Sequence, residues 1–137
     1  MSVLIDTSVW SLGLRRKRRD LSPSELRIFH AWEDLLEQGE AAIIGPIRQE
    51  TLSGIAFELE FVAIQSRLAA IDDLPMSSDD FILAARFSNT CRAEGVASGT
   101  IDMMICAAAY IYGMPIFSAD PDFTYYAAHL PIHLHTF

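Results

Sequence analysis

Short, wholly apolar runs alternate along this chain with longer stretches whose apolar residues recur at helical spacing. "VLI" within "SVLID" at 2–6, "AAIIG" at 41–45 and "PIFSA" at 115–119 are the short runs. Brief apolar runs bounded by turn signals read as buried strands. The period then changes. At 24–38, "SELRIFHAWEDLLEQ" places Leu26, Phe29, Trp32 or Glu33, and Leu36 near helical spacing. "SPSE" is a capping-type start for that helix, and Gly39 is its stop. "PIRQETLSGI" at 46–55 reads as a helix with Pro46 in its first turn. A longer helical pattern covers about 55–71. "SSDDFILAARFSNTCRAEG" carries a Ser/Asp cap and a Gly stop, and "TIDMMICAAAYIYG" is an apolar helix ending at Gly113. "IHLHTF" at 132–137 reads as a further strand. Residues 11–23, "SLGLRRKRRDLSP", break the pattern and read as a polar, mobile loop.

Strands that are apolar on both faces pair in parallel and are covered by helices on both sides. The pattern therefore predicts an α/β fold: a three-layer α/β/α arrangement around a mostly parallel sheet of about four to five strands. A chain of 137 residues makes one domain, 1–137, with one core. Composition adds little to this: 51% apolar and 20% charged residues fit a compact chain and exclude a disordered one. No apolar stretch approaches the roughly 20 residues needed to span a bilayer, and Asp6 interrupts any N-terminal apolar region. Cys91 and Cys106 are too few for a disulfide framework. The expectation is a cytoplasmic protein with reduced core thiols and no membrane partner.

Charge changes the picture. The net charge is −8, which argues at first against a nucleic-acid partner. The distribution matters more than the sum. Half of the basic residues lie in one run, Arg15, Arg16, Lys17, Arg18 and Arg19. The acids recur as single residues at the ends of apolar runs. Asp6 closes the first strand, Glu50 lies one helical turn beyond the second, and Asp120 closes the third with Asp122 two residues on. Asp102 stands near the start of an otherwise apolar helix. In a parallel α/β sheet the carboxyl ends of the strands share one edge, where ligands collect. Each acid alone has an ordinary reading: a cap or turn for Asp6 and Asp120, a dipole partner for Asp102, a solvated helix position for Glu50. Convergence is what distinguishes the set. Carboxylates crowded at one edge repel each other and raise their pKa values unless a cation offsets them. His30, His129, His133 and His135 are not placed with the acids, so the donors are all oxygen, which favours Mg²⁺, or Mn²⁺, over Zn²⁺. Such an ion suits phosphodiester hydrolysis and needs no nucleophilic side chain. Thr7, Ser8, Thr100 and Ser118 lie near the acids, either as groups that orient carboxylates and waters or as helix caps.

The set "VLIDTSVW", "IIGPIRQETLSGI", "TIDMMICAAA" and "IFSADPDF" resembles the PIN-domain family over essentially the whole chain, and within it the VapC-type toxins of type II toxin–antitoxin pairs. Four motifs in order, each in the expected strand or helix context, carry the resemblance. Ser118 stands where the family's closing motif has Thr, which keeps the hydroxyl, and Pro121 stiffens the link between Asp120 and Asp122. The resemblance implies a Mg²⁺- or Mn²⁺-dependent endoribonuclease that forms a homodimer, or a larger toxin–antitoxin complex, and is neutralised by a small VapB-like antitoxin. By position it implies Asp6, Glu50, Asp102 and Asp120 as catalytic acids, with Asp6, Asp102 and Asp120 on the metal and Asp122 as an accessory acid. The alternative is a catalytically silent PIN domain acting as an RNA- or protein-binding module. A receiver domain is disfavoured because the early motif has a single Asp and Lys17 is the only lysine; an Asp-x-Asp phosphohydrolase is disfavoured because Ser8 occupies the second acid position. The basic run 15–19 reads either as a contact for RNA phosphates flanking the scissile bond or as a solvated charge run.

Overall fold

The first buried strand runs directly into a helix. In the computed structural model, which describes residues 1–137, β1 is Val3–Ile5 and α1 is Thr7–Arg15, with Asp6 as the cap between them. A single 3₁₀ turn at Arg18–Asp20 leads to α2, Pro23–Glu37. The start of α2 is a full capping box between Ser22 and Glu25 followed by Pro in the first turn, as the sequence signals. Next come β2, Ala41–Ala42, and α3, Gly45–Leu52. Then follow α4, Glu58–Leu68, and α5, Ser78–Ala93. α6, Thr100–Tyr112, ends on Gly113 in the left-handed conformation (φ 65°), a stop that a residue without Cβ reaches freely. β3, Ile116–Phe117, and α7, Asp122–His129, complete the order.

The sheet is parallel, in the order β2-β1-β3. Val3 pairs with Ala41, and Leu4 with Ala42 on one side and Ile116 on the other. Two isolated parallel bridges, Ile43 to Asp73 and Ile116 to Leu134, extend the ladder at each edge. The expected four to five strands are thus a three-stranded ladder flanked by two single-residue contacts. The "IHLHTF" strand is one of these contacts, at Leu134. The edge segments stay short because polar residues and prolines flank them, which also protects the sheet from pairing with other chains. Helices cover both faces in a three-layer α/β/α fold. α1 packs on α2 and α3, α3 on α4 and α6, and α5 on α6 and α7, with α6 against β3. β1 is central and wholly buried, and it anchors one continuous apolar core.

One expectation is corrected. Residues 11–23 are not a loop throughout: 11–15 belong to α1 and 18–20 form the 3₁₀ turn. Val9, Trp10 and Leu12 are buried, which is what makes α1 a helix despite Gly13 and the adjoining charges. Gly13 is there because a Cβ would lie 2.6 Å from the ring of Trp32 on α2.

Candidate metal centre

The parallel sheet brings the ends of β1 and β3 side by side, and a chain of hydrogen bonds joins them. Asp6 is 4% exposed. Its Oδ2 accepts from Ser8 Oγ at 2.7 Å, from Ser118 Oγ at 2.8 Å and, more weakly, from Ser8 N at 3.4 Å. Asp6 is therefore an N-cap and a site residue at once. Each serine spends its proton on Asp6 and accepts in turn from the β3–α7 turn: Ala119 N donates to Ser8 Oγ at 2.9 Å, and Asp120 N to Ser118 Oγ at 3.0 Å. The chain continues when Asp122 N donates to Asp120 Oδ1 at 2.9 Å. Backbone and hydroxyls together set the positions of three acids from two strand ends.

Asp102 arrives from another element, the first turn of α6. Its Oδ2 accepts from the phenol of Tyr126 on α7 at 2.7 Å. Burial pushes its carboxyl up from 3.8 to about 6, and the negative charges of Asp6, Asp120 and Glu50 push the same way; the Tyr126 hydrogen bond opposes them. Burial and the adjacent Asp102 also raise the Tyr126 phenol. One turn further along α6, burial and the Asp102 charge raise the Cys106 thiol, so Cys106 is an inert core group.

Asp102, Asp120 and Asp122 can each present an oxygen such that all three atoms lie within 4.8 Å of one another. Oxygens on opposite sides of one Mg²⁺ stand roughly 4 Å apart, so a small contraction would seat an ion. The donor set is oxygen-only, and Asp102 is held toward its protonated form by burial and, beyond that, by the neighbouring negative charges. Both observations fit a hard divalent cation. Asp6 stands beside this group with Oδ2 already engaged. Glu50 is exposed on α3, and its charge reaches Asp102.

Of the hydroxyls singled out in the sequence, Ser8 and Ser118 hold Asp6. Thr7 Oγ1 is buried without a partner, and Thr100 is exposed at the first position of α6. The basic run begins where α1 ends. Arg15, Arg16, Ser8 and Ala119 line a groove of about 480 Å³ together with Glu25 and Glu60, so the first two residues of the run adjoin the strand ends that carry Asp6 and Asp120, while Arg18 packs on α2. Three of its arginines are ion-paired: Arg15 with Glu60 at 3.6 Å, Arg16 with Glu25 at 3.1 Å and Arg18 with Glu33 at 3.3 Å. Tyr126 is the site residue that sequence reasoning misses. "TYYAAH" offers two adjacent tyrosines and nothing to say which one faces inward.

Comparison with known proteins adds the family. No curated protein sequence matches the chain. Among solved structures, a chain of FitAcB from Neisseria gonorrhoeae is 17% identical with a TM-score of 0.72, covering 98% of this chain and 96% of that one. VapBC2 from Rickettsia felis, bound to a DNA fragment from their promoter, is 13% identical with a TM-score of 0.74, covering 100% and 99%. FitAB bound to an IR36 DNA fragment is 17% identical, TM-score 0.71, covering 97% and 93%. Identities this low speak for the fold alone. The PIN-domain family model matches residues 3–128, nearly the full length, and the chain belongs to the PIN-domain family.

Proposed function

We propose that this chain is a Mg²⁺- or Mn²⁺-dependent endoribonuclease and the toxin of a toxin–antitoxin pair. The observation that carries this reading is the meeting of Asp102, Asp120 and Asp122 beside Asp6 and Glu50, at the carboxyl edge of a PIN-domain sheet. Asp102, Asp120 and Asp122 would hold the ion. The free Oδ1 of Asp6, and Glu50 from the rim, would bind it or its waters. When bound, the ion acidifies a water and offsets the charge that builds on the phosphate during hydrolysis. The chain's own residues do the rest. Ser8 and Ser118 fix Asp6 in place, the Asp120–Asp122 turn holds two carboxylates at one spacing, and Arg15 and Arg16 line the adjoining groove, from which the run Arg15–Arg19 would supply positive charge toward RNA phosphates.

Partners follow from the same reading. The exposed Phe57, Leu59 and Val62 at the start of α4, and Phe81 and Ile82 on α5, support contacts with a small antitoxin and a second copy of the chain. The neighbours named above include one complex on a fragment of promoter DNA and one on an IR36 DNA fragment, which supports the pairing with an antitoxin. No helix is long and apolar enough to cross a membrane.

The test is cleavage of RNA by the purified, antitoxin-free chain, with Mg²⁺, with Mn²⁺ and with a chelator. Cleavage should require the ion, and Asp102→Asn and Asp120→Asn should each reduce it by about 100-fold or more. Cleavage that persists undiminished in chelator overturns the reading. RNA binding with no cleavage under any condition would identify a silent binding module instead.

A further inference from the structure

We propose that Tyr126 is a positioning residue for the metal centre, holding the Asp102 carboxylate in its ligating orientation. The inference rests on the reading of Asp102 as a metal ligand and adds to it a residue outside the acidic motifs. Tyr126 is 1% exposed, and its ring is fixed by burial and by an edge-on contact with Phe123 at 5.2 Å between centroids. From that fixed ring the hydroxyl reaches Asp102 Oδ2 at 2.7 Å. A carboxylate at the start of a helix has free rotation about its side-chain bonds unless something holds it. Here one oxygen is engaged by a rigid donor, which sets the direction in which the other can face.

The connection has a second consequence. Tyr126 is on α7, the helix that begins with Asp122, while Asp102 is on α6. The hydrogen bond therefore ties the element bearing Asp102 to the element bearing Asp122, and sets the spacing of two acids of the cluster. Ligand-orienting hydrogen bonds of this kind are typically worth 10–100-fold in metal affinity.

The test is Mn²⁺ binding to the full chain, followed by calorimetry and by electron paramagnetic resonance of the ion, without substrate. The wild-type chain should bind, and Asp102→Asn should abolish binding. Tyr126→Phe, which keeps the ring, should weaken binding by about 10-fold or more and change the Mn²⁺ spectrum, with the thermal midpoint measured alongside. Wild-type binding with an unaltered affinity and spectrum in Tyr126→Phe overturns the positioning role and leaves the metal centre standing. Absence of binding in the wild type overturns both.

A second measurement needs no variant and stands if Tyr126→Phe fails to fold. In the wild type labelled with fluorotyrosine each of the four tyrosines gives its own ¹⁹F resonance, and Tyr110, Tyr112 and Tyr125 are exposed at 53%, 36% and 61%, so the resonance shielded from solvent is that of Tyr126. Titrating the labelled protein with Mg²⁺ should shift that resonance in step with ion binding. Ion binding that leaves the Tyr126 resonance unmoved overturns the inference.

Discussion

Asp102 is the residue at which the cost of assembling this site is concentrated. Its carboxyl is pushed up to about 6, by burial first and then by the negative charges of Asp6, Asp120 and Glu50. The folded protein thus holds the Asp102 proton more tightly than the unfolded chain does. The contribution of Asp102 to stability is most favourable below its ordinary value of 3.8 and declines as pH rises through about 6. In metal-free protein, Asp102→Asn should raise the thermal midpoint by a few degrees at about pH 7.5, corresponding to about 1 kcal/mol once solvent screening of a half-buried group is allowed for. Near pH 4 the substitution should make little difference, because both side chains are then neutral. Melting curves of the two proteins across this range check the sign; an equal gain at both ends would remove the cost of ionising Asp102 as its cause. Asp6 is the more buried of the two. Ser8 and Ser118 satisfy its carboxylate, and removing that acceptor leaves two hydroxyls and a helix start without their partner. Asp6→Ala should therefore cost about 1–3 kcal/mol in urea unfolding. The acids themselves were legible in the sequence because Asp6 and Asp120 close apolar runs, Glu50 and Asp122 follow such runs closely, and Asp102 is the lone acid of an otherwise apolar helix. The division of labour among them was not, since it depends on which donors the folded chain brings within reach of each carboxylate.

At the scale of elements, α1 shows where sequence pattern and structure part. "SLGLRRKRR" combines a mid-helix glycine with a block of like charge, and either feature argues for a loop. The packing between α1 and α2 outweighs both. Trp10 and Trp32 meet edge to face with ring centroids 6.0 Å apart, and Gly13 leaves room for the Trp32 ring. Helix propensity favours alanine over glycine at position 13 by about 1 kcal/mol, but a Cβ 2.6 Å from the indole reverses the sign. Gly13→Ala should destabilise by about 1–3 kcal/mol, read as a lower urea midpoint at unchanged slope. A stabilised variant would show that the ring yields and that the glycine has some other origin. The strands were the more legible elements. "VLI" and "IF" are apolar throughout, as central parallel strands are, and the capping signals located α2 and α5. At the edges of the sheet the two flanking segments pair through one residue each, and period does not reveal how many residues of an edge segment pair.

For the whole molecule the question is how a chain of net charge −8 engages RNA at all. The basic run is the one concentrated source of attraction, and much of it is already spent on Glu60, Glu25 and Glu33. These are exposed pairs, worth little individually, so RNA phosphates can displace them at small cost. The salt dependence of binding measures how many are displaced. Each phosphate neutralised on a single strand contributes about −0.7 to the slope of log affinity against log salt. If all five residues from Arg15 to Arg19 engage, the slope is about −3.5; if the three pairs persist, Lys17 and Arg19 alone give about −1.4. Binding of a single-stranded RNA in the presence of Ca²⁺, which an oxygen-only site accepts but which acidifies a bound water far less than Mg²⁺, should fall within these bounds. Replacing Glu25 and Glu60 together by Gln frees Arg16 and Arg15, and should steepen a shallow slope by up to about 1.4 while strengthening binding at low salt. The control runs in the opposite direction: alanine at all five positions should flatten the slope toward zero while leaving the fold intact, since every one of these side chains is exposed. An unchanged slope in that variant would mean that RNA is held by the metal centre alone and that the run faces solvent.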